Sequence, residues 1–142
     1  MISAVVPVFN EEESLEAFYK VLIPNLLKLD KSYEVIFVDD GSTDKTLEIL
    51  KKFEAKNNNV RILSFRKNRG KAEVLTSGFK ASKGDLVVTL DADLQDRPEE
   101  IGKLIKKHKE GFDMVTGWRK DRKDALKTRI SSKFFNFIMS AF

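Results

Sequence analysis

The segment Tyr33-Glu34-Val35-Ile36-Phe37-Val38-Asp39-Asp40-Gly41-Ser42 runs from a dense apolar strand straight into two acids and a turn. An apolar run without polar alternation is the pattern of a strand buried on both faces, as in a parallel sheet. The acids and Gly41-Ser42 supply turn chemistry, and Leu47, Ile49, Leu50 and Phe53 then recur at helical spacing. Strand, polar turn and helix therefore follow one another within about twenty-odd residues, which is half of a parallel crossover unit.

Working outward, the same unit repeats. Ile2–Val6 reads as a first strand, followed by Asn10 as a helix cap with Glu11, Glu12 and Glu13 in the first turn. Leu15, Phe18, Tyr19, Leu22 and Leu26 mark that helix, and Pro24 is expected to kink or restart it. Val60–Phe65 reads as a third strand, Ala72–Ala81 as a helix closed by Gly84, and Asp85–Leu90 as a fourth strand. Asp96 and Pro98 are expected to open the next helix, and Phe112–Thr116 to form a fifth strand. The expected fold is α/β, a doubly wound and mostly parallel sheet, with ligands bound outside the carboxyl ends of its strands. Polar clusters fall at those ends: Pro7 to Glu11, Asp39 and Asp40, Arg66 to Lys71, and Asp91 with Asp93.

Length and composition set limits. The chain has 142 residues, 42% hydrophobic and 34% charged, enough for one domain with a real core. It contains no cysteine, so this chain forms no disulfide or thiolate metal site. No basic leader precedes the first strand, so no signal peptide is expected, and no apolar run reaches the roughly 18 residues of a membrane span. The net charge of +4 is uneven. Residues 118–142 carry seven Lys/Arg against Asp121 and Asp124, whereas residues 1–117 carry 19 basic and 20 acidic groups. A basic tail suits phosphate groups, a membrane surface or nucleic acid, or is a solvated helix face. His108, the one histidine, lies among lysines and offers no basis for a histidine-centred triad.

Two familiar ways of cradling phosphate are absent. No two of the seven glycines are two residues apart, which rules out the dinucleotide fingerprint, and Phe65 stands where a P-loop ending at Gly70-Lys71 needs glycine. Asp91-Ala92-Asp93 after the fourth strand offers a different method. Bare carboxylates repel an anionic diphosphate, but a hard divalent cation bridges the two, and magnesium binds through one or two carboxylates plus substrate phosphates.

The segments Val6-Pro7-Val8-Phe9-Asn10-Glu11-Glu12, Val38-Asp39-Asp40-Gly41-Ser42-Thr43-Asp44, Asn68-Arg69-Gly70-Lys71-Ala72 and Asp91-Ala92-Asp93-Leu94-Gln95-Asp96-Arg97-Pro98 together resemble family-2 glycosyltransferases of the GT-A fold. The likeness is in particular to the dolichyl-phosphate-mannose-synthase-like and undecaprenyl-phosphate glucosyltransferase branch. Gly117-Trp118-Arg119 stands where that family often has Gly-Ser-Arg or Gly-Val-Arg. The resemblance covers essentially the whole chain. It implies inverting transfer of a sugar from a UDP- or GDP-sugar to a polyprenyl phosphate, with Mg²⁺ or Mn²⁺ as cofactor. It places Pro7, Phe9 and Glu11 beside base and ribose, Asp39 or Asp40 on a ring N–H, and Lys71, with Arg69 nearby, near the diphosphate. Asp93 becomes the direct metal ligand, with Asp91 toward ribose or sugar and Gln95 near the sugar or a metal-bound water. Arg119 and Arg129, with Arg122 between them in the basic tail, would meet the acceptor phosphate or the leaving diphosphate. Residues 1–117 are then the nucleotide-sugar-binding domain. Residues 118–142 are a basic loop and an amphipathic helix.

That last helix carries Leu126, Ile130, Phe134, Phe137, Ile138 and Ala141 as a stripe flanked by Lys127, Arg129 and Lys133. A basic, Phe-rich amphipathic helix suits a membrane interface or a face packed on the sheet. The expected location is the cytoplasmic face of a membrane, and no nucleic-acid partner is expected. Family members continue well past this point, so a shortened chain is expected. The alternatives are a family-2 transferase with a saccharide acceptor, and a fragment that binds nucleotide without catalysis. Sequence does not fix the sugar, the base or the oligomeric state.

Overall fold

The computed structural model describes residues 1–117. Four parallel strands form one sheet: β1 (Ile2–Val8), β2 (Tyr33–Asp39), β3 (Val60–Ser64) and β4 (Leu86–Thr89), in the order β3-β2-β1-β4. The helices between them are α1 (Leu15–Leu29), α2 (Thr46–Lys56) and α3 (Lys71–Ala81), and a 3-10 turn at Pro98–Glu100 leads into α4 (Ile101–His108). The order of the strands reverses at β1: the crossover from β1 leads to β2, whereas β4 joins on the other side. The crevice at that reversal is where open α/β sheets bind ligands.

Period-two alternation sorts the strand side chains onto two faces. Ala4, Val6 and Val8 of β1 and Tyr33, Val35 and Phe37 of β2 meet Leu15, Phe18, Leu22 and Leu26 of α1 and Leu50 and Phe53 of α2. Tyr19 stacks on Phe53 with ring centroids 4.0 Å apart, and Phe37 tilts against the same ring at 6.2 Å. The other face is smaller: Val5, Ile36 and Val38 pack on Val74 of α3. Fully buried side chains of this size each contribute about 1.5–3 kcal/mol, so the α1–α2 face holds most of the apolar stabilisation. With helices on both faces, the sheet is doubly wound.

Some expectations shift. α1 begins at Leu15 after Ser14, not at the acids, because Asn10 adopts φ 53° and turns the chain. Pro24 does not break α1, which runs continuously from Leu15 to Leu29. The Asn25 side-chain amide donates to the Val21 carbonyl at 2.9 Å, beside the point where proline removes a backbone donor. Gly84 does not close α3, which ends at Ala81. It packs against β1 instead, where a Cβ would lie 2.6 Å from the Ser3 hydroxyl. Phe112–Thr116 forms no strand: Phe112 is 50% and Met114 80% exposed, and β1 is the one described strand paired with β4. Five residues without a partner strand among the described residues cannot satisfy their backbone groups by pairing there.

Candidate functional site at the carboxyl edge of the sheet

The loops after β1, β2, β3 and β4 meet at one edge. The first two are stitched together by side chains. The Asn10 N–H donates to the Ser42 hydroxyl at 2.9 Å, and its Oδ1 accepts from the Thr43 N–H at 2.8 Å. The Glu11 N–H donates to Thr46 Oγ1 at 2.8 Å, and Glu12 accepts from the Lys45 N–H at 2.9 Å. Asp44 accepts from the N–H groups of Thr46 and Glu12. Burial opposes its ionisation, but these donors and the Thr46 hydroxyl outweigh burial and hold its carboxyl below the usual range. The result is a fixed rim on which Pro7 is half-buried, Phe9 is 44% exposed and Glu11 is half-buried with its Oε2 accepting from the Ser14 hydroxyl.

Asp39 is the last residue of β2 and Asp40 the first beyond it, and their carboxylates have different partners. Asp39 accepts from the Ser42 N–H at 3.1 Å and the Ser64 hydroxyl at 2.8 Å, tying β2 to β3. Asp40 accepts from the Arg69 N–H at 2.6 Å and the Gly70 N–H at 3.0 Å. Both are buried, at 1% and 5% exposure, and both spend their oxygens on the chain's own donors. Gly41 makes this contact possible. Its φ is +74°, and a Cβ there would lie 2.7 Å from the Lys67 carbonyl carbon.

Across β1, the end of β4 continues into Leu90, whose N–H donates to the Val5 carbonyl. Asp91 then accepts the Lys71 ammonium at 2.5 Å, and its own N–H donates to Asp96 at 2.8 Å. Asp93 accepts from the N–H and the side-chain amide of Gln95, both at 3.0 Å. Leu94 lies between them in the left-handed region (φ 63°) and is 52% exposed. Asp91 and Asp93 are half-buried at the open edge rather than sealed inside. Arg69 pairs with Glu73 at 3.4 Å. Adjacent strands are about 4.8 Å apart, so the ends of β2 and β4, on either side of β1, are separated by roughly 10 Å.

The arrangement brings together Pro7, Phe9, Glu11, Asp39, Asp40, Lys71, Asp91, Asp93 and Gln95 along one edge. Arg119, Arg122 and Arg129 and the amphipathic helix lie outside the described residues. Two residues take roles other than those expected. Asp96, expected to open a helix, turns back to hold the Asp91 backbone. Asn10, expected to cap α1, links two loops. Asn is among the few side chains that tolerate positive φ, and that tolerance was the available signal. Among the described residues, no group of three or more His, Cys, Asp or Glu is placed to hold a metal ion. The donor set at Asp91 and Asp93, hard oxygens on an open edge, fits a magnesium- or manganese-type ion completed by substrate phosphates, not a closed protein cage.

Comparison with known proteins agrees with this architecture. The family model described as glycosyl transferase family 2 matches residues 3–141. The undecaprenyl-phosphate 4-deoxy-4-formamido-L-arabinose transferase of Photorhabdus laumondii is 39% identical over 140 residues, covering 98% of this chain and 43% of that protein. This chain thus spans less than half the length of that relative. The mannosyltransferase PcManGT of Pyrobaculum calidifontis, solved with GDP-Man and Mn²⁺, superposes with a TM-score of 0.60 at 25% identity over 74% of this chain and 31% of its own. S. aureus TarS residues 1–349, solved with UDP-GlcNAc, superposes with a TM-score of 0.59 at 26% identity over 84% of this chain and 38% of its own. A parallel sheet with acids at two strand ends astride its reversal point, and a family match from one end of the chain to the other, lead to the same place: this chain, of GT-A fold, belongs to glycosyl transferase family 2.

Proposed function

We propose that the intact protein transfers a sugar from a UDP- or GDP-sugar to a polyprenyl phosphate, with inversion and with a divalent cation, at the cytoplasmic face of a membrane. The observation that carries this reading is the placement of Asp91 and Asp93 at the open carboxyl edge, one strand beyond β1 from Asp39 and Asp40. The roughly 10 Å between those strand ends suits a nucleoside diphosphate laid across β1, base toward β2 and diphosphate toward β4. The transferase from Photorhabdus laumondii, named for undecaprenyl phosphate, supports the lipid acceptor. PcManGT in complex with GDP-Man and Mn²⁺ supports the donor class and the metal.

In this reading Asp93, and with it Asp91, would hold the metal, which when bound supplies positive charge to the leaving diphosphate. Gln95 donates its side-chain amide to Asp93 at 3.0 Å and keeps that carboxylate oriented. Phe9 offers an exposed ring to the base, and Glu11 a carboxylate oxygen to a ribose hydroxyl. Lys71, 61% exposed, is free to swing from Asp91 to a diphosphate oxygen. A phosphate-oxygen nucleophile is already anionic near neutral pH, so the chain needs no strong general base, and alignment with charge stabilisation carries the reaction. Arg119 and Arg129, outside the described residues, would neutralise the acceptor phosphate or the leaving group. No helix among the described residues is long and apolar enough to cross a membrane; the basic, Phe-rich 118–142 segment would bring the site to the lipid surface.

Calorimetric titration of the intact protein with UDP and with GDP, each with and without Mg²⁺ or Mn²⁺, tests the reading. Binding of one nucleotide, strengthened by metal, is expected. Failure of both nucleotides to bind under any of these conditions defeats it.

A further inference from the structure

We propose that Asp40 is a positioning residue whose buried carboxylate fixes the Arg69–Gly70 backbone and so presents Lys71 to Asp91 two strands away. The inference takes the role of Lys71 and Asp91 in donor binding from the reading above. Its own ground is separate. Asp40 is 5% exposed, and each of its oxygens takes one backbone N–H, from Arg69 at 2.6 Å and from Gly70 at 3.0 Å. A carboxylate receiving two converging N–H donors is a strong, directional tie. Gly41 supports it, since its missing Cβ lets the Lys67 backbone lie directly against the turn after β2. The next residue after the tie, Lys71, is the first of α3. Its ammonium crosses the end of β1 to reach Asp91 at 2.5 Å. Strand order makes the connection necessary. Asp40 follows β2 and Asp91 lies beyond β4, with β1 between, and the loop pinned by Asp40 is what bridges them.

This assignment separates Asp40 from any direct contact with the base. A buried carboxylate whose two oxygens are aimed at backbone donors acts on the diphosphate end of the site, through Lys71.

The test has three arms, all on the intact protein. Zero-length carbodiimide cross-linking, read by mass spectrometry, joins Lys71 to Asp91 in the wild type. Asp40→Asn, which turns an amide toward the Arg69 and Gly70 donors, is expected to lose that cross-link, and so is Gly41→Ala, which pushes the same loop without touching a carboxylate. A wild-type yield in Asp40→Asn overturns the proposal. Hydrogen exchange in the wild type needs no variant: the Arg69 and Gly70 amides should be protected, and unprotected exchange overturns the tie even if both variants fail to fold. In the binding arm, Asp40→Asn is expected to weaken UDP or GDP by about tenfold, to leave uridine or guanosine unchanged, and to add nothing in a Lys71→Met background. An equal loss for the bare nucleoside assigns Asp40 to the base and overturns the proposal. If the wild type binds neither nucleotide, the transferase reading fails while the cross-link and exchange arms still decide this one.

Discussion

Glu34 and Asp93 are carboxylates placed by one sheet at opposite edges, and their surroundings could hardly differ more. At the amino edge, Glu34 is buried and faces α3. It accepts from the Ser3 hydroxyl at 2.7 Å, the Lys83 N–H at 2.6 Å and the Arg61 guanidinium at 3.2 Å. Arg61 also donates to the Ala81 carbonyl, and Ser3 Oγ accepts from the Gly84 N–H, so every group at that junction is used. At the carboxyl edge, Asp93 is half-buried and takes its hydrogen bonds from Gln95, two residues on. One carboxylate is neutralised by the fold and glues strands to α3. The other is half-buried at an open edge that a cation from outside can reach. Glu34 is enclosed because donors from three other segments, an arginine among them, converge on it, whereas the donors to Asp93 come from Gln95, two residues on.

The sharpest way to break this contrast is to delete each acid. In the intact protein, Asp93→Ala should lower metal-dependent transfer by about a thousandfold or more, while its urea midpoint stays within about 0.5 kcal/mol of wild type. Near-normal transfer in that variant removes the functional half of the comparison. Glu34→Ala should do the reverse. It strands the buried Ser3 hydroxyl and the Lys83 N–H and leaves Arg61 without its partner, which costs about 2–4 kcal/mol in urea unfolding. The folded fraction should bind nucleotide as tightly as wild type. A stable Glu34→Ala protein would mean that the amino-edge network is decorative.

How much of this contrast could be read beforehand depends on what each residue is asked to do. The strands were legible because Val35–Val38 and Val87–Leu90 are apolar-rich runs; burial on two faces explains the first, whereas β4 is half-open, with Val87 45% exposed. Asp91 and Asp93 stood out as a candidate pair through the segments that together resemble the family, since two acids just past a strand end are by themselves common. The Glu34 network was not legible, since an acid inside a strand segment gives no sign that Ser3, Arg61 and residue 83 will converge on it from three other elements. The true start of α1 was hidden for a related reason. Glu11, Glu12 and Glu13 suit a first helical turn, but tertiary bonds from Asn10 and Glu12 to the β2–α2 loop hold that stretch in a turn. Local propensity lost to contacts some thirty residues away. The 112–116 run misled in the opposite sense, because a strand pattern says nothing about whether a neighbour exists to pair with it.

A milder probe uses pH. Burial pushes the Glu34 carboxyl up, but the Ser3 hydroxyl, the Lys83 N–H and Arg61 together outweigh it and hold the group below the ordinary glutamate value of 4.5. A depressed folded value means that the ionised form stabilises the fold. That stabilisation is complete above the ordinary value and is lost as pH falls through the folded one. Wild type and Glu34→Gln should therefore differ most in thermal midpoint above about pH 5 and converge in acid. A gap that stays constant down to pH 3 contradicts the ionic reading of this edge.

The smallest effect comes from removing the cation rather than the acid, and it is where the two edges should part most quietly. Arg61→Met leaves a buried glutamate with two neutral donors, so a loss of about 1–2 kcal/mol in urea unfolding is expected. Lys71→Met removes an ammonium that is 61% exposed from an aspartate side chain that water can reach, at 25% exposure. Exposed ion pairs of this kind contribute little, and the change in stability should stay within about 0.5 kcal/mol. Its consequence belongs to ligand binding instead. Without the lysine, a diphosphate arriving at Asp91 and Asp93 loses one charged donor, and its affinity should fall by about tenfold while stability holds. If Lys71→Met destabilises the protein as much as Arg61→Met does, then the carboxyl-edge pair is a structural tie like its counterpart, and the difference between the two ends of the sheet is one of degree.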